Sequence, residues 1–438
     1  MQSSRILYWA NMALLGACAA TPVAAQSIDT YLPASVTGAD VEPGVTVLSR
    51  ERPGYDPPGL RIGDWTVEGS VWETAGDNTN VTGYDTGRAS AFLDTRATGE
   101  AVAQWAEDRF AADMLVEDDD YLQQAHQSFA NWTATLADTH MFGDSSAAVA
   151  YSHLSLHQIA SDFGALQADA PVGYQVDDLR VFGTVALSRF TLIPLLDVQY
   201  VRDSDASVLG VPVSLGYEAR TVVTQGAELR YALTDRRSLV VVGQGIETEY
   251  GQRPTDQPTE SSTSFRLLAG LDTTARGVWR ARVLLGAEVR SFAASAYATR
   301  WSPIAEGSLI WTPDGMTTAT LGLTRTIADP ADFGVQGYNL TKVSLVLDRE
   351  LRRNLLLAAS VGVQTADPLH SGASQTNVLA GLSLTRLISR HLRVVVSYSF
   401  DAQRGDDVVF SAGPGHPSAV RGGNYDRQLA GVSVRLAL

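Results

Sequence analysis

Along most of this chain, apolar and polar side chains take turns one residue at a time. The last segment sets Val432, Val434, Leu436 and Leu438 against Ser433, Arg435 and Ala437. The one before it places Leu392, Val394, Val396, Tyr398 and Phe400 on one face and Arg393, Ser397, Ser399 and Asp401 on the other. Phe265, Leu267, Ala269 and Leu271 alternate with Arg266 and Asp272. Trp279, Ala281, Val283, Leu285, Ala287 and Val289 alternate with Arg280, Arg282, Glu288 and Arg290. A period of two predicts strands, because successive side chains of an extended backbone point to opposite sides. Each strand then has one apolar face and one wet face.

About eighteen such segments fit between Trp65 and Leu438, one per roughly 21 residues, which suits a membrane-crossing strand and its connection. The connections alternate in length. Short ones are expected at Ser188-Arg189, Thr234 to Arg237, Ala275 to Gly277, Pro313 to Gly315, Arg352 to Asn354 and Ser389 to His391. Long polar ones are expected at 158–174, 203–215, 251–261, 328–336, 367–376 and 403–423. Short turns on one side and long loops on the other predict an all-β fold, a transmembrane up-and-down antiparallel β-barrel of about 16–18 strands over residues 65–438. Such a sheet must close, because hydrocarbon holds no water to satisfy an open edge. The expected place is the bacterial outer membrane, with both termini in the periplasm. Trp65, Trp279, Trp301 and Trp311 fall near strand ends, where interfacial aromatics belong. The stretch 97–160 is the weak part. Ala101 to Asp120 is poor in β-branched residues and can be drawn as an amphipathic helix through Val102, Trp105, Ala106 and Phe110; continuing turn spacing favours strands.

Composition narrows the class. The 438 residues are 45% hydrophobic and 18% charged, with mean hydropathy −0.02, which excludes a disordered chain. A single apolar run approaches helix-spanning length, at the very N-terminus, so a polytopic helical protein is excluded too. The net charge of −15 opposes nucleic-acid binding, which needs a basic footprint. Residues 1–25 read as an export signal: Arg5, an apolar run from Ile6 to Leu15, and Val23-Ala24-Ala25 before a cleavage point at Gln26. Leu15-Gly16-Ala17-Cys18 is also an approximate lipobox, and an uncleaved anchor is the third reading. Cys18 is the one cysteine, so a chain that loses it has no disulfide and no thiolate chemistry. Residues 26–64 carry Pro33, Pro43, Pro53, Pro57 and Pro58 and hold no period. They read as a periplasmic arm, with a plug or docking segment as the functional alternative.

The stretch Arg50-Glu51-Arg52-Pro53-Gly54-Tyr55-Asp56-Pro57-Pro58-Gly59-Leu60-Arg61-Ile62-Gly63 resembles the lead-in of a family of outer-membrane β-barrel porins. These carry an R-P-x-Y-D-P-x-G-[IL]-R-x-G block just before the first strand. Pro58 stands where an aliphatic residue is usual, and the chain ends on Leu438 where such barrels more often end on an aromatic. The resemblance runs on to Tyr425-Asp426-Arg427 at the start of the last strand. It implies an outer-membrane barrel of a Gram-negative bacterium, in several cases tied to exopolysaccharide production or export. It brings no catalytic residues.

Candidate chemistry adds little against this. Gly143-Asp144-Ser145-Ser146 and Asp367-Pro368-Leu369-His370 resemble the two blocks of a GDS-type hydrolase, which would make Ser145 a nucleophile, His370 its base and Asp367 the orienting acid. The barrel register puts Ser145 at a periplasmic turn and His370 in an extracellular loop, a bilayer apart. His153 and His157 would share a helix face as a metal pair, but on a strand they lie roughly 13 Å apart. Glu117 to Asp120 reads as a solvated extracellular loop, with divalent-cation bridging to lipopolysaccharide as the alternative. No cofactor, metal or catalytic site is expected. The candidate lumen-lining residues are Arg266, Asp272, Arg280, Arg282, Glu288, Arg290, Glu306, Lys342 and Arg393. The functional expectation is a porin or channel for hydrophilic solutes. A non-conducting scaffold of an envelope export complex and a barrel-embedded hydrolase are the alternatives. Expected partners are outer-membrane lipid and lipopolysaccharide, the barrel assembly machinery and polysaccharide export proteins.

Overall fold

A computed structural model describes residues 45–438 except 161, 163–167, 209, 252–257, 274–276, 330–336, 371–373, 406–407, 411–418 and 422–423. The expected signal segment, Cys18 and the arm before residue 45 lie outside the described residues. Eighteen long strands run in chain order: β1 (Trp65–Asn78), β2 (Ser90–Trp105), β3 (Asp108–Tyr121), β4 (Phe129–Phe142), β5 (Ser145–Gln158) and β6 (Val172–Leu187); β7 (Phe190–Asp203), β8 (Arg220–Thr234), β9 (Arg237–Tyr250), β10 (Ser262–Asp272), β11 (Trp279–Phe292) and β12 (Arg300–Asp314); and β13 (Thr317–Ala328), β14 (Tyr338–Arg352), β15 (Leu355–Pro368), β16 (Gln375–Leu387), β17 (Leu392–Gly405) and β18 (Tyr425–Ala437). Each pairs antiparallel with the next, and β18 pairs with β1 from Ala437↔Ser70 to Leu429↔Asn78. The sheet is therefore a closed barrel with no free edge, as a hydrocarbon surround requires. The stretch from Ala101 to Asp120 is β2 and β3, so pairing decides where local propensity was silent.

The short turns, such as Ser188-Arg189 and Asp235-Arg236, all lie at one end with the start of β1. The long connections all lie at the other. By the usual asymmetry of such barrels the short end is periplasmic. On the outer face the apolar residues stand uncovered: Leu285 is 63% exposed and Phe265 61% exposed. In water such a belt would drive aggregation; here it is the surface that meets lipid. Trp279 stacks on Trp311 with ring centroids 5.5 Å apart at the periplasmic rim. Trp65 packs edge-on against Trp105 and Phe110 at the same level. Trp301, 65% exposed, is the second residue of β12 at the opposite rim.

The backbones of β10 and β11 approach closely at two glycines. A Cβ at Gly270 would lie 1.8 Å from the Val283 carbonyl oxygen, and one at Gly286 would lie 1.9 Å from that of Leu267. Only glycine lets the two backbones approach so closely. Both glycines face inward, which leaves room for the long charged side chains beside them.

Residues 45–62 run along the inside of the periplasmic end. A short strand, Leu60–Ile62, doubles back on β1 through Leu60↔Val67 and Ile62↔Trp65. Upstream, the Val47 amide donates to Thr318 Oγ1 of β13 at 3.0 Å, and Val47 is buried. Arg52 reaches Glu350 Oε2 of β14 at 2.9 Å, and Arg50 reaches the same oxygen at 3.3 Å. Asp56 lies 3.8 Å from Arg393 of β17. The arginine and aspartate of the lead-in block thus tie this segment to the wall.

Candidate functional site: the charged lumen

Strand register decides which charges face inward. Arg266↔Glu288, Asp272↔Arg282 and Ser264↔Arg290 are directly opposed on the inner face of β10 and β11. Across to β12 the inward pairs include Leu284↔Glu306 and Arg280↔Ile310. Lys342 faces in from β14, opposite Gln364, and Arg393 from β17, opposite Leu387 and Arg435. All nine candidates lie on the lumen face, but they form no single cluster.

Six of them fall into two ion-pair groups. Arg282, fully buried, donates from Nη2 to Glu228 Oε2 at 2.8 Å and from Nε to Glu306 Oε1 at 3.2 Å, with Asp272 at 3.7 Å. Arg230 shares Glu228. Towards the extracellular end, Arg266 Nη2 holds Glu288 Oε2 at 2.9 Å and Arg290 holds Asp329. Asp329 lies just beyond β13. Burial works against its charge, yet Arg290 and Arg220 hold its carboxyl below the usual carboxylate range. Arg280 is different. It is 8% exposed, and its Nε and Nη1 have no hydrogen-bond partner among the described residues. Between the two charge groups, on the same inner face, lies an apolar patch of Val240, Val242, Leu268, Leu284 and Ile304.

Sequence reading missed half of the lumen. Arg180 chelates Asp197 at 2.5–3.0 Å between β6 and β7. Asp401 Oδ2 accepts from Arg427 at 2.7 Å and from Tyr425 at 2.9 Å between β17 and β18. On β1–β3 the inner register brings like charges face to face: Glu68↔Glu100, Glu100↔Asp113 and Asp94↔Asp119. Glu117 is in β3, not in a loop. It faces Arg96, 3.7 Å away, while Asp118 and Asp120 point outward. The acidic run looked like a loop because no apolar residue interrupts it; the structure puts Glu117 and Asp119 on the inner face and Asp118 and Asp120 on the outer face near the extracellular end of β3.

Among the described strand residues, the inner face of β1–β7 carries nine carboxylates and three arginines. The inner face of β8–β18 carries eleven cations and seven carboxylates. The lumen is divided by charge, net −6 against +4.

Over the acidic side, extracellular loops fold inward. Val81 from the β1–β2 loop and Ile159 from the β5–β6 loop pack on the inward Phe92, Tyr121 and Phe129. Tyr84 donates to the Ala168 carbonyl at 2.6 Å and Gln127 to that of Asp169 at 2.7 Å.

The rival sites come apart. Ser145 opens β5 at the periplasmic end, whereas His370 follows β15 at the extracellular end, near the Ala298 carbonyl. His153 and His157 are both outward on β5 but turn to different partners, Asp177 at 2.7 Å and Asn131 at 3.2 Å.

A family model described as "Putative beta-barrel porin 2" matches residues 52–437. No curated protein matches the sequence. Among solved structures, the chain is similar to OccK2 (OpdF) of Pseudomonas aeruginosa, with 13% identity and a TM-score of 0.45 over 87% of this chain and 99% of that one. It is similar to the outer membrane protein OpdK of Pseudomonas aeruginosa, with 14% identity and a TM-score of 0.42 over 85% and 98%. It is also similar to the siderophore receptor PirA of Pseudomonas aeruginosa, with 11% identity and a TM-score of 0.40 over 86% and 81%. Likenesses this distant say nothing about a solute.

Proposed function

The chain belongs to the β-barrel porin 2 family, and we propose that this outer-membrane barrel provides passage for hydrophilic solutes. The observation that carries the reading is the opposition of the two faces. The outer face is apolar and uncovered, while the inner face holds arginines and carboxylates at almost every strand of β6–β12. A barrel of this size is too wide for side chains to fill, so water occupies the remainder. The paired hydrogen-bond ladder forms the wall, and the inward charges bias which solutes enter. The outer belt faces lipid and lipopolysaccharide, and the assembly machinery that inserts such barrels is the expected folding partner.

The test is conductance of the purified protein in planar bilayers. Discrete steps are expected, with reversal potentials under a salt gradient that show mild cation preference, since lumen carboxylates outnumber lumen cations. Anion preference would refute that part. The lead-in block favours an association with exopolysaccharide export, and co-purification of export proteins from the envelope tests it. A second reading, a non-conducting partner of such an export complex, is favoured by the inward-folded loops over β1–β5 and the segment lining the periplasmic end. Recordings that stay at baseline would select it.

A further inference from the structure

We infer that the lumen sets a transverse electric field that selects solutes carrying a positive and a negative group at once, such as free amino acids and short peptides. The inference rests on the porin reading and narrows its solute.

In a closed barrel of eighteen strands, strands nine apart face each other, so β1–β3 look across the lumen at β10–β12. The inner face of β1–β3 holds Glu68, Asp94, Glu100, Asp113, Glu117 and Asp119 against Arg96 and Arg109. The inner face of β10–β12 holds five arginines against Asp272, Glu288 and Glu306. The acidic wall is neutralised only in part: Arg96 faces Glu117 at 3.7 Å and Arg109 acts on both Glu100 and Asp113, which leaves the cross-strand row Glu68, Glu100 and Asp113 with more carboxylates than cations. Like charges placed directly opposite each other destabilise a sheet, so the row is not a device for holding the barrel together. These carboxylates are not grouped closely enough for a metal among the described residues. A row spread over three strands suits a diffuse attraction for an ammonium group instead.

The facing wall supplies an independent sign of a ligand. Arg280 is the second residue of β11 and Glu68 the fourth of β1, both counted from the periplasmic end. The carboxylate row and Arg280 are therefore at similar height on opposite walls. Arg280 is more than nine-tenths buried, faces inward and has no hydrogen-bond or ion-pair partner among the described residues. A buried guanidinium without an anion is costly, and a carboxylate passing on that side satisfies it. A solute with separated charges lowers its energy by turning its ammonium to Glu68–Glu100–Asp113 and its carboxylate to Arg280. A neutral solute gains nothing from the field, and a singly charged one is drawn to one wall only. Low-dielectric walls focus such fields, and salt weakens them over about 8 Å at physiological ionic strength.

The experiment is swelling of proteoliposomes holding the full-length purified protein. Glycylglycine, which carries both charges, is compared with xylitol, which is neutral and of about the same size. The expected result is glycylglycine entry at least about threefold faster than xylitol at low salt, with the ratio falling towards one as salt is raised equally inside and outside. A variant combining Glu68→Gln, Glu100→Gln and Asp113→Asn, and separately Arg280→Gln, should each lower the ratio. Heat-modifiable gel mobility checks that the variants still form barrels. Equal entry of the two solutes overturns the transverse field and leaves the porin reading standing. Entry of neither solute above protein-free vesicles overturns the porin reading itself, and the field with it.

Discussion

The wall of β10–β12 and the wall of β1–β3 meet the same water and handle charge in opposite ways. On the first, most charges meet an opposite one, with Arg290 opposite Arg300 and the unpartnered Arg280 as the exceptions among the described residues. Arg282 is boxed by Glu228, Glu306 and Asp272, and Arg266 by Glu288. On the second, carboxylates face carboxylates in register. One wall, Arg280 apart, uses its charges on each other, and the other sets six carboxylates against only Arg96 and Arg109. The contrast separates charge that fixes the barrel from charge that can act on what passes through it.

The sharpest way to break the comparison is Arg282→Met. The side chain is fully buried and serves three carboxylates. Removing it takes away the cation the three share and leaves Glu228 and Asp272 to Arg230, with an expected loss of about 3–5 kcal/mol. Denaturant unfolding of the barrel in lipid vesicles, followed by tryptophan fluorescence, measures it. A loss no larger than that of a surface substitution would mean that the network on β10–β12 is solvated, and the two walls would no longer differ.

The two walls also differed in how readable they were. On β10 and β11 every outward position is a large apolar residue or alanine except the terminal Thr263 and Ser291, and every inward charge interrupts it at period two. Strand, face and candidate lumen residue follow together. On β2 and β3 the outward positions are alanine, glycine, threonine and aspartate far more often than large aliphatics. Small outward residues erase the contrast between faces, so the charges at Glu100, Asp113 and Glu117 could not be assigned to a side. Only pairing with neighbours resolves them, and pairing is non-local. Partners distant in sequence, such as Arg282 with Glu228 or Arg52 with Glu350, were beyond any periodic reading for the same reason.

A smaller effect is expected at the extracellular end of the paired wall, where Asp329 meets Arg290. Its carboxyl titrates below the ordinary carboxylate value of 3.8 when folded, because Arg290 and Arg220 outweigh burial. A group whose folded pKa is depressed stabilises the fold above its unfolded pKa and loses that contribution as pH falls through its folded pKa. Asp329→Asn should therefore cost about 1.5–3 kcal/mol at neutral pH. The gap from the natural chain should begin to narrow below pH about 4 and keep narrowing as pH falls towards the depressed folded pKa. Unfolding midpoints of the two chains measured from pH 7 down to pH 3 test this; a gap that persists in acid would assign the effect to shape rather than charge.

The smallest expected effect sharpens the comparison most. Glu100 is flanked on the inner face by Glu68 on one side and Asp113 on the other. Glu100→Gln keeps the shape and removes the central charge of the row. If the carboxylates repel across open water, the variant should be as stable as the natural chain or more stable, by about 0.2–1 kcal/mol. The gain should shrink as salt is added, because the repulsion it relieves is screened. Unfolding midpoints at low and high salt read both features. A loss of stability on Glu100→Gln would show that the row is held by a partner that needs its charge. The two walls would then be alike, each neutralised in its own way, and the acidic one would have no free charge to offer a solute. The sign of this one small number therefore decides whether the division of the lumen is functional or only compositional.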